Sequence, residues 1–184
     1  MRVFFICSPR SNLENARAIF KTVEEKGYKH TTDFVSKVEP HAFYRAGDEV
    51  WQERYKSWVR DIAKADICVF EVSIHSLAVG QLIQEAIRRE KPVIALYYQG
   101  QKPHFLRGTE GSETRVQLVE YTLDSLKDIL ADAFDVATEL LTTRFTMLMP
   151  PDMTRFLDKI GEERSVSRSE YIRSLITREM KRRK

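Results

Sequence analysis

Residues 65–86 read ADICVFEVSIHSLAVGQLIQEA, and this stretch decides the fold class. Its first part, residues 66–72, is a nearly continuous apolar run that predicts a buried strand. A short turn at residues 73–80, which contains His75, Ser76 and Gly80, follows and leads into a helix to about Arg89. A strand, a turn and a helix in this order are typical of one unit of a parallel sheet.

The same alternation continues on both sides of this stretch. Other apolar runs predict further strands, and helical periodicity predicts helices between them: strands at residues 2–7, 32–38, 92–98 and 116–121, and helices at 11–26, 48–65 and 124–141. Strands that are apolar on both faces need helices on both faces. The sequence therefore predicts an α/β domain over residues 1–141 with a doubly wound, five-stranded parallel sheet.

The composition restricts the protein class. The chain has 184 residues, of which 42% are hydrophobic and 31% charged, and it contains no apolar run long enough for a membrane span. Cys7 and Cys68 lie in apolar runs, which predicts buried free thiols in a reducing cytosol rather than a disulfide or a cysteine zinc site. The histidines have no metal-binding spacing, so we expect a cytoplasmic protein with no metal and no cofactor.

The turn after the first strand is the first candidate ligand site. In doubly wound folds, ligands bind at the carboxyl ends of the strands. There Ser8, Arg10, Ser11 and Asn12 combine polar side chains, a guanidinium and the N–H groups of a following helix, which suits a phosphate or another anion. The alternative is an ordinary polar turn.

Several motifs carry a family resemblance over roughly residues 2–140. Residues 65–86, the segment FFICSPRSN at 4–12 and Leu-Arg-Gly at 106–108 together resemble the nucleoside 2-deoxyribosyltransferase superfamily, especially its 2′-deoxynucleoside 5′-monophosphate N-glycosidases. The resemblance implies a nucleotide or nucleoside-phosphate ligand. Together with the turn, it gives these candidate ligand-binding residues: Ser8, Arg10, Ser11, Asn12, Glu71, His75, Ser76, Gly80 and Arg107.

The chain departs from the family at both catalytic acids. The position of the family's nucleophilic glutamate is Leu82, and the position of its second acid falls near Trp58. We therefore expect no catalytic residue and a ligand that binds without turnover. Glu85 and Asp61 each lie three residues later, one helical turn away, and are the fallback carboxylates for an enzyme.

The last 43 residues form a different module. Residues 1–141 carry 19 Lys/Arg and 21 Asp/Glu, whereas residues 142–184 carry 11 and 6. The segment TTRFTMLM at 142–149 alternates and predicts a strand, and two amphipathic helices follow. The second of these helices begins with a capping box from Ser167 to Glu170. Residues 142–184 resemble the ribbon-helix-helix family of repressors and antitoxins.

This second resemblance implies a homodimer, or a tetramer of two dimers, whose paired strands lie in the major groove of double-stranded DNA. The DNA contacts would come from the outward strand residues and the second helix's amino terminus: Arg144, Thr146, Leu148, Ser167, Arg168 and Ser169. The alternatives are a dimerisation module with a solvated basic tail and a clamp for a partner protein.

The leading hypothesis from sequence is thus a dimeric, sequence-specific DNA-binding repressor. Its first domain would be a catalytically degenerate nucleotide sensor. The alternative is a nucleotide N-glycosidase or deoxyribosyltransferase that uses Glu85 or Asp61, with a ribbon-helix-helix tail for assembly or DNA tethering.

Overall fold

The chain folds into two compact units, Met1–Thr143 and Arg144–Lys184. The computed structural model describes residues 1–38, 45, 47–104, 115–141, 147–164 and 166–183. Each unit is described by itself below.

The first unit is built on one five-stranded parallel sheet. Its strands are β1 (Arg2–Cys7), β2 (Lys29–His30), β3 (Ile67–Glu71), β4 (Val93–Tyr98) and β5 (Val116–Tyr121). Their order in the sheet is β2-β1-β3-β4-β5, and every neighbouring pair is parallel. The prediction of an α/β fold with a five-stranded parallel sheet is confirmed.

Helices cover both faces of the sheet. They are α1 (Leu13–Glu25), the short α2 (Phe34–Lys37), α3 (Asp48–Lys64), α4 (Leu77–Arg88) and α5 (Leu126–Glu139). Side chains of a strand point alternately to the two faces, so β3 contributes Phe70 to one apolar cluster, with α3 and α4, and Val69 to the other, with α1 and α5. This alternation also decides on which face each polar residue of β3 lies.

Two local predictions in this unit are wrong. Residues 32–38 were expected to form a strand, but β2 is Lys29–His30 and Phe34–Lys37 is a helical turn. The Thr32 hydroxyl accepts a hydrogen bond from the N–H of Phe34 at 3.3 Å, which bends the chain away from the sheet. Likewise, the helix expected at residues 11–26 begins at Leu13, because Asn12 is its N-cap: the Asn12 side chain accepts from the N–H groups of Glu14 and Asn15.

The second unit consists of α6 (Pro151–Arg164) and α7 (Arg168–Arg182). The predicted capping box is confirmed, since the Ser167 side chain accepts from the Glu170 backbone and the Glu170 side chain accepts from the Ser167 backbone. The predicted strand at 142–149 falls mostly outside the described residues, and 147–150 are not in a strand. The ribbon-helix-helix arrangement is therefore not shown. None of the described helices combines the length and apolar character that crossing a membrane requires.

Candidate functional site

A large cavity of the first unit runs along α4. It has a volume of about 1290 Å³ and is lined by α4, by the turn between β3 and α4, by Tyr55 of α3 and by Pro103. Four residues singled out from sequence line it: His75, Ser76, Gly80 and Glu85. This cavity is the candidate functional site.

The start of α4 is fixed by Ser76. Its side chain accepts a hydrogen bond from the N–H of Val79 at 3.4 Å and so serves as the N-cap of the helix. A serine directly after a polar turn is a strong helix start signal. Because of this cap, α4 begins at Leu77, within residues 73–80, where the sequence predicts the turn. The Ser76 hydroxyl proton is not used in this cap and remains available to a ligand.

Glu85 is the carboxylate of this cavity. Its side chain is 5% exposed, and two arginines of the same helix end hold it. Arg88 donates from Nε and Nη2 to Oε2, whereas Arg89 donates from Nε to Oε1 at 2.5 Å. The hydrogen bond from Arg88 is the main cause that lowers the pKa of Glu85, and Arg89 adds to it. Glu85 is therefore ionised at neutral pH, as a nucleophile or general base must be.

The two positions that the family resemblance gives for catalytic acids are apolar and packed. Leu82 is 1% exposed and Trp58 is 8% exposed. Both belong to the apolar cluster between the sheet and helices α3 and α4, together with Phe4 and Phe70. Neither position carries a group that transfers a proton or attacks carbon. If the cavity is catalytic, its carboxylate must come from elsewhere on α4.

Asp61, the other fallback carboxylate, lies in a different cavity. That cavity has a volume of about 730 Å³ and is lined by Asp61, His30 and Trp58, among others. Burial raises the pKa of Asp61 in spite of its ion pair with Lys64, whose Nζ lies 3.7 Å from Oδ1. Glu85 and Asp61 thus do not share a site. Their environments also shift their pKa values in opposite directions.

Glu71 lies on the opposite face of the sheet from Glu85. Its side chain is on the α1 and α5 face, because its neighbours Phe70 and Val72 belong to the cluster on the α3 and α4 face. Glu71 is 2% exposed and accepts from the Ser11 hydroxyl at 2.6 Å and from the N–H and hydroxyl of Ser73. The Ser73 hydroxyl oxygen accepts from the N–H of Tyr98 at 2.7 Å. Glu71 therefore ties three strand ends together.

The charge of Glu71 affects two buried neighbours. Burial, and secondly Glu71, raise the pKa of the Cys7 thiol to about 12. The same two causes raise the pKa of Tyr121. Cys7 and Cys68 are both buried and free, as the sequence predicts. A thiol with so high a pKa is protonated at neutral pH and is not a nucleophile.

The turn after β1 uses many of its own polar groups. Ser8 Oγ accepts from the N–H of Arg10 at 3.2 Å, and Ser11 donates its hydroxyl proton to Glu71. The Asn12 side chain occupies the N–H groups of Glu14 and Asn15. The turn therefore offers a ligand fewer donors than the residue types suggest. Arg107, the remaining candidate ligand contact, lies outside the described residues.

In the second unit, four of the six candidate DNA contacts are described. Leu148 is 98% exposed, Ser167 caps α7, and Arg168 pairs with Asp158 through Nε at 2.5 Å. Ser169 lies in the first turn of α7, while Arg144 and Thr146 lie outside the described residues. Over the described part of the whole chain, no cluster of three His, Cys, Asp or Glu side chains could hold a metal ion.

Comparison with known proteins concerns the first unit. No protein-family model matches the chain. Over 91 residues it is 38% identical to the putative 2′-deoxynucleoside 5′-phosphate N-hydrolase 1 of Thermofilum pendens; the match covers 47% of this chain and 59% of that protein's length. The N-terminal region resembles the deoxyribosyltransferase and N-glycosidase family. A solved structure, the CMP N-glycosidase BcmB of Clostridium botulinum, has the same fold, with a TM-score of 0.51 and 17% identity over 71% of this chain and 98% of that one.

These relatives correct the leading sequence hypothesis. Both carry the names of enzymes that act on nucleotides, an N-hydrolase and an N-glycosidase. The interpretation of the chain as a DNA-binding repressor is wrong, and the enzyme alternative agrees better with the relatives. The repressor hypothesis rested on the 43-residue tail, which neither relative's name concerns.

Proposed function

We propose that the chain is an enzyme that cleaves the N-glycosidic bond of a nucleoside 5′-monophosphate. The observation that carries the proposal is Glu85, a nearly buried but ionised carboxylate that lines the cavity along α4 beside His75 and Ser76. The names of the two relatives support the reaction and the substrate class. Glu85 lies one helical turn, ~5 Å, beyond the position of the family's nucleophile on the same helix.

The chemistry requires one carboxylate and one water. Glu85 attacks the anomeric carbon, the bond from that carbon to the base nitrogen breaks, and the electron pair leaves with the base, which takes a proton from solvent. Water then hydrolyses the glycosyl ester, which releases the sugar 5-phosphate and restores the carboxylate. Arg89 keeps Glu85 ionised and fixes its orientation during both steps.

The test is base release. The full chain is incubated with CMP and with the four common deoxynucleoside monophosphates, and free base is measured by chromatography. We expect release from at least one nucleotide, and a loss of more than about a hundredfold in the Glu85→Gln variant, which removes the reacting charge. Glu90→Gln is the matched control, because Glu90 is an exposed carboxylate just beyond the same helix.

Two outcomes would contradict this proposal. If none of the five nucleotides releases base, the chain is not an N-glycosidase of this class. If Asp61→Asn abolishes release and Glu85→Gln does not, the reaction takes place in the smaller cavity and the assignment to Glu85 fails.

We further propose that the second unit serves assembly of two copies, in the manner of the ribbon-helix-helix family it resembles in sequence. Among its described residues, Leu157 is the one buried apolar side chain. Four large apolar side chains of α6 and α7 are more than half exposed: Met153 and Phe156, and Ile176 and Met180. Two short amphipathic helices cannot bury such faces alone, whereas a second copy presents the same faces in return.

A further inference from the structure

Glu85 is held by two arginines that differ in their surroundings. Arg88 and Arg89 both belong to the carboxyl end of α4 and both donate to the carboxylate. Arg88 lines the large cavity and its side chain is 74% exposed, whereas Arg89 does not line the cavity and is 37% exposed. A ligand in the cavity therefore reaches Arg88 and not Arg89.

The two arginines also hold different oxygens of Glu85. Arg88 donates to Oε2 and Arg89 donates to Oε1. Removing Arg88 from the pair would free Oε2 and leave the bond at Oε1 intact. The carboxylate would then have one oxygen free to react and one still paired with a cation.

A phosphate dianion is suited to remove Arg88. Only the guanidinium of this pair is exposed: the Arg88 side chain is 74% exposed, whereas Glu85 is 5% exposed. Arg88 can therefore turn toward a ligand in the cavity while Arg89 still pairs with the buried carboxylate. A guanidinium binds phosphate through two parallel hydrogen bonds, which are among the strongest that proteins make. Arg88 and Glu85 are three residues apart on α4, so their side chains are neighbours about one turn apart. One sugar ring carries both the phosphate arm and the anomeric carbon, and it can therefore contact both residues.

We propose that Arg88 recognises the 5′-phosphate of the substrate, and that its move from Glu85 to the phosphate frees Oε2 for the reaction. This inference rests on the proposed function for the reaction step, but phosphate recognition by Arg88 stands on the cavity alone. Arg88 then makes the enzyme select nucleotides over nucleosides. Arg89 stays on Oε1 and keeps the carboxylate ionised throughout.

The experiment compares Arg88→Gln with Arg89→Gln in the full chain. Binding of CMP and of cytidine is measured by titration calorimetry in the Glu85→Gln background, where no turnover consumes the ligand. We expect a preference for CMP over cytidine of at least about tenfold, equivalent to about 1.4 kcal/mol. Arg88→Gln should abolish that preference by weakening CMP and not cytidine, whereas Arg89→Gln should leave it intact.

A second arm measures base release in the background that retains Glu85. We expect Arg88→Gln to lower kcat/KM for CMP, which loses its phosphate contact. The same variant should raise kcat/KM for cytidine, because cytidine has no phosphate to draw Arg88 away from Oε2. Arg89→Gln should lower both to the same extent, since it acts through the carboxylate.

The outcomes separate the two proposals. Selective binding of CMP through Arg88 without any base release would keep the phosphate site and reject the N-glycosidase function. Equal effects of the two arginine variants on the preference for CMP would overturn the inference. So would a chain that binds CMP no better than cytidine, or that binds neither.

Discussion

At the scale of single residues, Leu82 and Trp58 decide how this chain differs from the family it resembles. Both positions lie in the apolar cluster beside α3 and α4, and Leu82 is 1% exposed. A carboxylate there would have to leave water and enter a site without a cation among its packed neighbours. The ionised carboxylate of α4 is instead Glu85, where Arg88 and Arg89 stabilise the charge.

Restoring the carboxylate at Leu82 should therefore damage the fold. We expect Leu82→Glu to lower the free energy of unfolding by about 3–5 kcal/mol, since it leaves an unpaired group in the core. Leu82→Met, which conserves volume, should cost less than about 1.5 kcal/mol. Urea unfolding followed by circular dichroism measures both. A Leu82→Glu variant with unchanged stability would show that the site is open to water.

The sequence identified candidate site residues more reliably than it predicted which of them lie in the same cavity. His75, Ser76, Gly80 and Glu85 line one cavity because a single strand-turn-helix segment carries them. Glu71 is in the same segment, yet its side chain lies on the other face of the sheet. A strand that is buried on both faces has no polar side to indicate its orientation, so the sequence did not separate Glu71 from the cavity. Serine and asparagine are both favoured at the N-cap of a helix, so the sequence alone does not show whether α1 is capped by Ser11 or by Asn12.

At the scale of elements, Lys91 joins the end of α3 to the start of β4. Its Nζ donates to the carbonyl oxygens of Ala63 at 3.2 Å and of Ala65 at 2.7 Å. These carbonyls belong to the last turn and the C-cap of α3. A cation at the carboxyl end of a helix satisfies free carbonyls and interacts favourably with the helix dipole. Lys91, which precedes Pro92 and β4, therefore has a structural role at the end of α3.

We expect Lys91→Met to destabilise the first unit by about 1–3 kcal/mol, because it leaves two helix-end carbonyls without their charged donor. Lys64→Met is the matched control at the same end of α3. Its side chain is 61% exposed and its ammonium lies 3.7 Å from the Asp61 carboxylate, a long ion pair, so its loss should cost no more than about 1 kcal/mol. Thermal unfolding by calorimetry compares the two variants. Equal losses would indicate that the helix dipole, and not the specific hydrogen bonds of Lys91, stabilises this end.

Prediction of elements succeeded where several signals coincide. Strands β3, β4 and β5 are long apolar runs between clear turns, and α7 begins at a full capping box. It failed at β2, which has two residues and lies at the sheet edge. So short a strand leaves no period in the sequence, and the apolar residues after it, Val35 and Val38, instead pack from a helical turn and its end.

At the scale of the whole molecule, the excess of positive charge and the two described cavities belong to different parts of the chain. The first 141 residues carry a net charge of −2 and the last 43 a net charge of +5. All residues that line the two cavities lie within Met1–Thr143. The exposed apolar side chains of α6 and α7 lie in the other unit. Ligand binding and assembly are therefore separable properties, if assembly depends on the second unit.

Deleting residues 144–184 should separate them. We expect the fragment 1–143 to unfold cooperatively in urea and to keep its affinity for CMP, because the sheet and the cavity are complete within it. Light scattering should give a dimer for the full chain, of twice 21.5 kDa, and a monomer for the fragment.

In the full chain, Phe156→Glu with Ile176→Glu should also give a monomer, since charges on this apolar face oppose association. Lys159→Glu, an exposed substitution on α6, should remain dimeric. A dimeric fragment would place the interface in the first unit, and a fragment that no longer binds CMP would show that assembly completes the site.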